Sequence, residues 1–273
     1  MRRARLLGVG LMALALSACM SVTTTIKLKT DGTGTVTQRM VMSPAMAEMM
    51  AGLAAMGAEE GQPALFPEAK LRAQAAEMGP GVTFVSSKKI KDGSGEGVEA
   101  VYAFKNIDTL KVEQKPTPPV EGAQSKGESE APEFHLAHLP NGHAQLTVVF
   151  PEPKGKPSAG EKDESGADKD KTAEKKKPSA KEMQQAKEML KGLRIGLYLD
   201  AGKKVVKTNS PYLEGNRVTL MELDFEALLS DEKKLQKLMA VEGENSIEAV
   251  KQALEGIPGI KVHLDRKITI EFE

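Results

Sequence analysis

The sequence predicts an α+β protein, in which an antiparallel sheet built from several β-hairpins has amphipathic helices packed on it and is interrupted by disordered charged insertions. Three observations predict this. Short runs of alternating apolar and polar residues recur in pairs, separated by glycine-containing turns. Helical periodicity appears in separate blocks, each with its own start and stop residues. Strands and helices are segregated along the chain rather than alternating, which disfavours a parallel α/β sheet.

The first residues form a separate unit. Arg2, Arg3 and Arg5 precede Leu6–Leu16, an eleven-residue run without a charge, the n-region and h-region of an export signal. Eleven residues reach only about 16 Å as a helix, well short of the roughly 20 residues that a bilayer span requires. The run ends in Leu16-Ser17-Ala18-Cys19, which resembles the lipobox of bacterial lipoproteins. That resemblance implies that Cys19 receives a diacylglycerol on its sulfur. It also implies that signal peptidase II recognises Leu16, Ser17 and Ala18, and that the new amino group is acylated with a fatty acid such as palmitate. Several acyl chains anchor stably where one is marginal, because each buried CH₂ contributes about 0.8 kcal/mol. The implied location is the cell envelope, facing outside the cytoplasm. Met20 in place of an aspartate implies the outer membrane where the host has one. Cys19 is the only cysteine, so no internal disulfide forms and the exported part depends on core packing.

Val22–Leu28 is β-branched, Asp31-Gly32-Thr33-Gly34 supplies a turn, and Thr35–Met42 returns as a second strand. The same pattern recurs for Val82–Ile90 and Val98–Phe104 around Asp92-Gly93-Ser94-Gly95, and for Phe134–Leu139 and Ala144–Phe150 around Asn141-Gly142. Leu193, Ile195, Leu197 and Leu199 alternate with Arg194, Gly196, Tyr198 and Asp200, the period of a strand with one buried face. Lys203–Lys207 reads as its short return strand and Arg217–Leu223 as another strand. Alternating runs on either side of Asp265-Arg266 read as a terminal hairpin. The strand, Asp-Gly-x-Gly turn and second strand directly after the cysteine resemble uncharacterised envelope lipoproteins, a likeness that implies no catalytic residues.

Ser43-Pro44 offers an N-cap and a first-turn proline for a helix with Met46, Met49, Met50, Leu53 and Met56 on one face. Pro67–Met78 reads as a second helix. Ser179 with Glu182 forms a capping box for a third, which ends at Gly192. Ser230 and Ser246 open two more, the last stopped by Gly256 and Pro258. The predicted organisation is a signal peptide over 1–18, an N-terminal α+β part over 19–112, a disordered insertion over 113–132, a β-hairpin over 133–150, a disordered charged linker or insertion over 151–178 and a C-terminal α+β part over 179–273. The two insertions hold too few apolar side chains to offset ordering entropy.

The chain has 38 basic and 38 acidic residues; without Arg2, Arg3 and Arg5 the exported part has 35 against 38, about −3. The interleaved signs exclude a nucleic-acid-binding tail. Asp31-Gly32-Thr33-Gly34-Thr35 resembles the phosphorylated-aspartate motif of ion pumps, but glycine stands where that motif has lysine, and the hairpin turn accounts for it. No helix follows the glycine-rich turn Lys91–Gly97 to bind phosphate. His135 and His138 point to opposite faces of a strand, which leaves His143 without a shared metal site. No Gly-x-Ser-x-Gly elbow occurs, and Asp163 with Glu164 lies in the solvated tract, where no raised pKa arises. With no tryptophan and only Tyr102, Tyr198 and Tyr212 as tyrosines, sugar stacking is disfavoured. The expectation is a protein without catalytic, metal or cofactor site, not an enzyme, with a binding or structural role in the envelope. Its partners are the membrane, through acyl chains on Cys19, and an unknown envelope protein. The alternative is a carrier of lipid or another hydrophobic ligand on Met46, Met49, Met50, Leu53 and Met56, whose bland reading is core filling. A distant alternative is an envelope enzyme with a dispersed site.

Overall fold

The computed structural model describes residues 20–44, 47–48, 66–93, 95–112, 131–151, 192–229, 256–257, 259–263 and 265–273. Strands dominate. Strand β1 (Met20–Leu28) pairs antiparallel with β2 (Gly34–Met42), and β3 (Thr83–Asp92) with β4 (Gly95–Phe104). A third hairpin joins β5 (Glu133–His138) and β6 (Ala144–Val149). These are the three hairpins that turn chemistry predicts. Gly32 has φ 81° and Gly142 has φ 84°, left-handed conformations that a Cβ disfavours. Asp31 holds the first turn by accepting from the amide and the hydroxyl of Thr33 at 2.9 and 2.7 Å.

The C-terminal strands are β7 (Arg194–Asp200), β8 (Val205–Thr208), β9 (Leu213–Glu214), β10 (Arg217–Asp224), β11 (Ile260–Val262) and β12 (Lys267–Phe272). They correct the expected antiparallel sheet in four ways. There are two sheets: an eight-stranded one in the order β11-β10-β7-β1-β2-β4-β3 with β9 on β10, and a four-stranded one in the order β5-β6-β12-β8. The first is mixed, because β1 and β7 run parallel, Ser21 facing Arg194 through Lys27 facing Asp200. The expected terminal hairpin does not form: β11 joins β10 in one sheet while β12 lies between β6 and β8 in the other. The expected return strand after β7 likewise crosses to the second sheet as β8. Pairing partners far away in sequence outcompete the local turns at these two places.

Helices are minor among the described residues. Helix α1 (Glu68–Glu77) matches the predicted segment and buries Leu71 and Ala75, with Met78 at its C-cap. Its Gln74 accepts from the buried hydroxyl of Tyr102 at 3.1 Å. Desolvation pushes the Tyr102 pKa up to about 12. A one-turn helix α2 (Phe225–Leu229), which periodicity does not predict, follows β10, with Asp224 accepting from the Ala227 amide at 3.1 Å. Pro44, Ala47 and Glu48 are helical, as Ser43-Pro44 predicts. The other predicted helices, and the two expected insertions apart from residues 131–132 and 151, lie outside the described residues.

One hydrophobic core joins both sheets. Ile26, Val36, Tyr102 and Phe104 from one and Phe134, Leu146, Ile270 and Phe272 from the other belong to the same buried cluster. Strand β3 is an edge of the larger sheet. Its Lys88, Lys89 and Lys91 and the irregular pairing between Phe84 and Ser86 discourage a second chain from adding to it.

Candidate functional site

Strand β1 begins at the residue after Cys19. Met20, the first described residue, is 7% exposed and faces Met42 across the ladder. Cys19 itself, the recognition residues Leu16, Ser17 and Ala18, and the methionine-face residues Met46, Met49, Met50, Leu53 and Met56 lie outside the described residues. The structure places Met42 in β2 and buries it, and packs Met40 against the core.

Three polar constellations stand among the described residues. The largest joins β7, β9, β10 and β11. The Glu222 carboxylate, 9% exposed, bonds Arg194 and lies 3.5 Å from Lys261 Nζ, which reaches Glu214 at 2.9 Å. Tyr198 lies over Gly196, where a Cβ would come within 2.5 Å of the tyrosine oxygen. The pairing holds the charges in place. Burial raises the Tyr198 pKa, with the Glu222 charge adding to it. Burial opposes charge on Arg194, but the Glu222 hydrogen bond and its neighbours outweigh it and raise the pKa. The bond to Glu214 does most to raise that of Lys261. Every charge in the cluster has an opposite partner. It clamps four strands.

The second constellation imitates a nucleophile with its base. Ser210 Oγ lies 3.4 Å from His263 Nε2. The same nitrogen is 2.9 Å from the Thr219 carbonyl, which only accepts, so Nε2 carries the ring proton. A protonated Nε2 cannot take the Ser210 proton. Ser210 Oγ meanwhile accepts from the Tyr212 amide at 3.1 Å. Tyr212 packs edge-on against the imidazole with centroids 5.2 Å apart, and Phe150 stacks on it at 6.2 Å. This is a structural histidine joining the β8–β9 loop, β10 and the segment before β12.

Burial pushes the His263 pKa down, against the Thr219 bond and the Asp265 charge. The unfolded chain therefore takes up this proton at higher pH than the folded protein does. The stabilising contribution is complete above the unfolded value of about 6.5 and declines as pH falls through that value toward the folded one. The urea midpoint is expected to drop between pH 7.5 and pH 5.5, and less so in His263→Gln, which keeps a donor for Thr219 but does not titrate. Equal drops in both proteins would remove His263 as the cause.

The third constellation takes up His143, whose Nδ1 lies 2.8 Å from Glu271 Oε1 while Asn141 bonds the same oxygen at 3.1 Å. The His143 bond comes first among the causes that lower the Glu271 pKa. His135 faces Glu133 at 3.6 Å, and His138 is exposed at the end of β5. No group of three metal-ligating side chains comes together among the described residues, and no helix among them is long and apolar enough to cross a membrane. Sequence reasoning missed Glu222 and His263. Glu222 sits in an ordinary alternating strand, and His263 has no partner within reach in the sequence.

The described residues define a mixed two-sheet β architecture with minor helices. No known protein family matches the sequence, and no curated protein matches it. A solved structure with some similarity is the folded domain of LppM from Mycobacterium tuberculosis, determined by NMR. It has a TM-score of 0.32 and 12% identity, over 76% of this chain and 84% of that one. No residue role transfers at that score.

Proposed function

We propose that the protein is a lipid-anchored envelope protein, processed before Cys19 and acylated there, with a non-catalytic binding or structural role. The observation that carries this reading is the order of charge, apolar run, Leu16-Ser17-Ala18 and sole cysteine, followed at once by the buried Met20 of β1. Cleavage before Cys19 removes the export signal and keeps all of the described β1. Saturated charge pairs and a histidine whose proton is committed to a carbonyl support a binding or structural role over an enzymatic one. The membrane is one partner, through the acyl chains; a second is an envelope protein that meets the exposed surface. The lipid faces away from the cytoplasm, in the outer membrane of a host that has one.

Metabolic labelling with a fatty acid, together with the intact mass of the mature chain, tests the reading. The wild type is expected to carry label, to begin at Cys19 and to sediment with membranes. The Cys19→Ser variant is expected to lose label and membrane association together. A soluble, unlabelled wild type would refute the proposal.

A further inference from the structure

Of the five asparagines in the chain, Asn141 is the one followed by glycine. Such a pair is chemically labile, because the glycine nitrogen can attack the asparagine Cγ and no Cβ on the glycine obstructs it. The turn leaves room for that reaction. Asn141 and Gly142 are both exposed, and nothing lies within 4 Å of the place a Gly142 Cβ would take. The other described asparagines are better shielded. Asn106 is followed by Ile107, whose β-branched side chain is 0% exposed and crowds the nitrogen that would attack. Asn209 has its amide nitrogen on the Lys267 carbonyl at 3.0 Å and its amide oxygen on the Thr269 amide at 2.8 Å. Asn216 is followed by Arg217, which carries a long side chain and pairs with Glu214 in the β9–β10 ladder.

The groups around the Asn141 side chain match what the reaction needs. Its amide oxygen accepts from the His143 amide at 3.0 Å, a donor placed where negative charge grows as Cγ becomes tetrahedral. Its amide nitrogen, the leaving group, lies 3.1 Å from His143 Nδ1 and 3.1 Å from Glu271 Oε1. Nδ1 is 2.8 Å from the same Glu271 oxygen, and that bond does most to hold the Glu271 carboxyl below its usual range. The carboxylate only accepts, so the ring proton sits on Nδ1. In the resting amide the nitrogen has no basic lone pair. Once Cγ is tetrahedral it has one, and the Nδ1 proton is within reach.

We propose that Asn141 is a self-modification site of the folded protein, deamidating through a cyclic imide with His143 as proton donor to the departing ammonia. The Gly142 nitrogen gives its proton to solvent and bonds Cγ. The Cγ–Nδ2 bond then breaks, and ammonia leaves with the Nδ1 proton, which solvent replaces. Water opens the imide at either carbonyl to give aspartate or isoaspartate, so the net change is one water consumed and one ammonia released. The Gly142 amide donates to the Leu139 carbonyl at 3.0 Å, so this bond opens first, a local fluctuation of an exposed hairpin end. The product alters the site. Where an amide donated to Glu271, two carboxylates meet, and isoaspartate adds a carbon to the main chain of the turn. The tie from the β5–β6 turn to β12 is thereby lost.

The full chain, purified in detergent, is incubated in mildly alkaline buffer with and without urea, then digested and mapped by mass. In the folded wild type the mass gain of an amide-to-acid change is expected at Asn141, several-fold faster than at Asn106, Asn209 or Asn216. His143→Gln is expected to slow the folded protein several-fold and to leave the rate in urea unchanged. His143→Lys, which keeps a proton donor beside the amide, is expected to recover most of the rate; circular dichroism checks that each variant is folded. No gain at Asn141 in the folded wild type would overturn the site. Equal rates in folded wild type and His143→Gln, or a His143→Lys rate as low as that of His143→Gln, would overturn the proton transfer. Asn141→Asp, which makes the product's charge directly, is expected to unfold at lower urea than wild type, and an unchanged midpoint would overturn the loss of the tie to β12.

Discussion

Phe272→Ala is expected to lower the unfolding free energy by about 3–5 kcal/mol, the cost of truncating a fully buried aromatic and leaving a cavity. Phe272 is 0% exposed and lies on β12, facing Ala144 of β6 on one side and Val205 of β8 on the other. Neither neighbour is large enough to collapse into the space. The loss is a large share of the 5–15 kcal/mol that holds an ordinary domain together, and with a single cysteine in the chain no internal disulfide offsets it. Urea unfolding followed by circular dichroism measures the effect. A shift below about 1 kcal/mol would mean that the second sheet does not depend on this contact.

Gly97→Ala is the second large effect, and its cause is space rather than backbone freedom. A Cβ on Gly97 would lie 1.9 Å from the Met40 carbonyl oxygen and 2.8 Å from the Val41 Cα. Both are backbone atoms of the neighbouring strand and cannot rotate away. Strands β2 and β4 must separate locally, at an expected cost of about 3 kcal/mol, the upper part of the range for overpacking. Gly142→Ala is the control: its φ of +84° strains any side chain, yet nothing lies within 4 Å of the added carbon. It is expected to cost about 1 kcal/mol, the ordinary penalty for a left-handed residue. Equal losses in the two variants would argue against the close approach of β2 and β4.

The parts of the fold that the sequence reveals are those decided by neighbours. Asp31 and Gly32, or Asn141 and Gly142, carry the backbone conformation of their turns within themselves, and the hairpins follow. The alternation in Leu193–Asp200 likewise separates the buried Ile195, Leu197 and Leu199 from outward Arg194 and Tyr198. What stays hidden depends on distant partners. Nothing around Thr23 says that Gly196 lies beside it. Nothing around Val262 says that the chain leaves one sheet there and enters the other as β12. Gly34 and Gly97 read in sequence as turn residues, whereas their absent side chains also let strands approach closely. In the polar clusters the same division holds. The exposure of His138 at a strand end is legible, while the bonds from Arg194 to Glu222 and from His263 to Thr219 join elements that only tertiary structure brings together.

The pairing of β1 with β7 sets a schedule for the chain as it is delivered from its N-terminal end. The first described strand is the centre of its sheet, and one of its two neighbours, Arg194–Asp200, arrives only after most of the polypeptide has been delivered. The last strand, Lys267–Phe272, is likewise internal to the second sheet. Contacts this distant along the chain close slowly, since loop entropy must be overcome before they form. Until then β1, β2, β4 and β3 can form a four-stranded antiparallel sheet, with one side of β1 open to any passing strand. The larger sheet is therefore completed only late in the chain's delivery, and an escort that shields the open side of β1 during that interval would raise the yield of native protein.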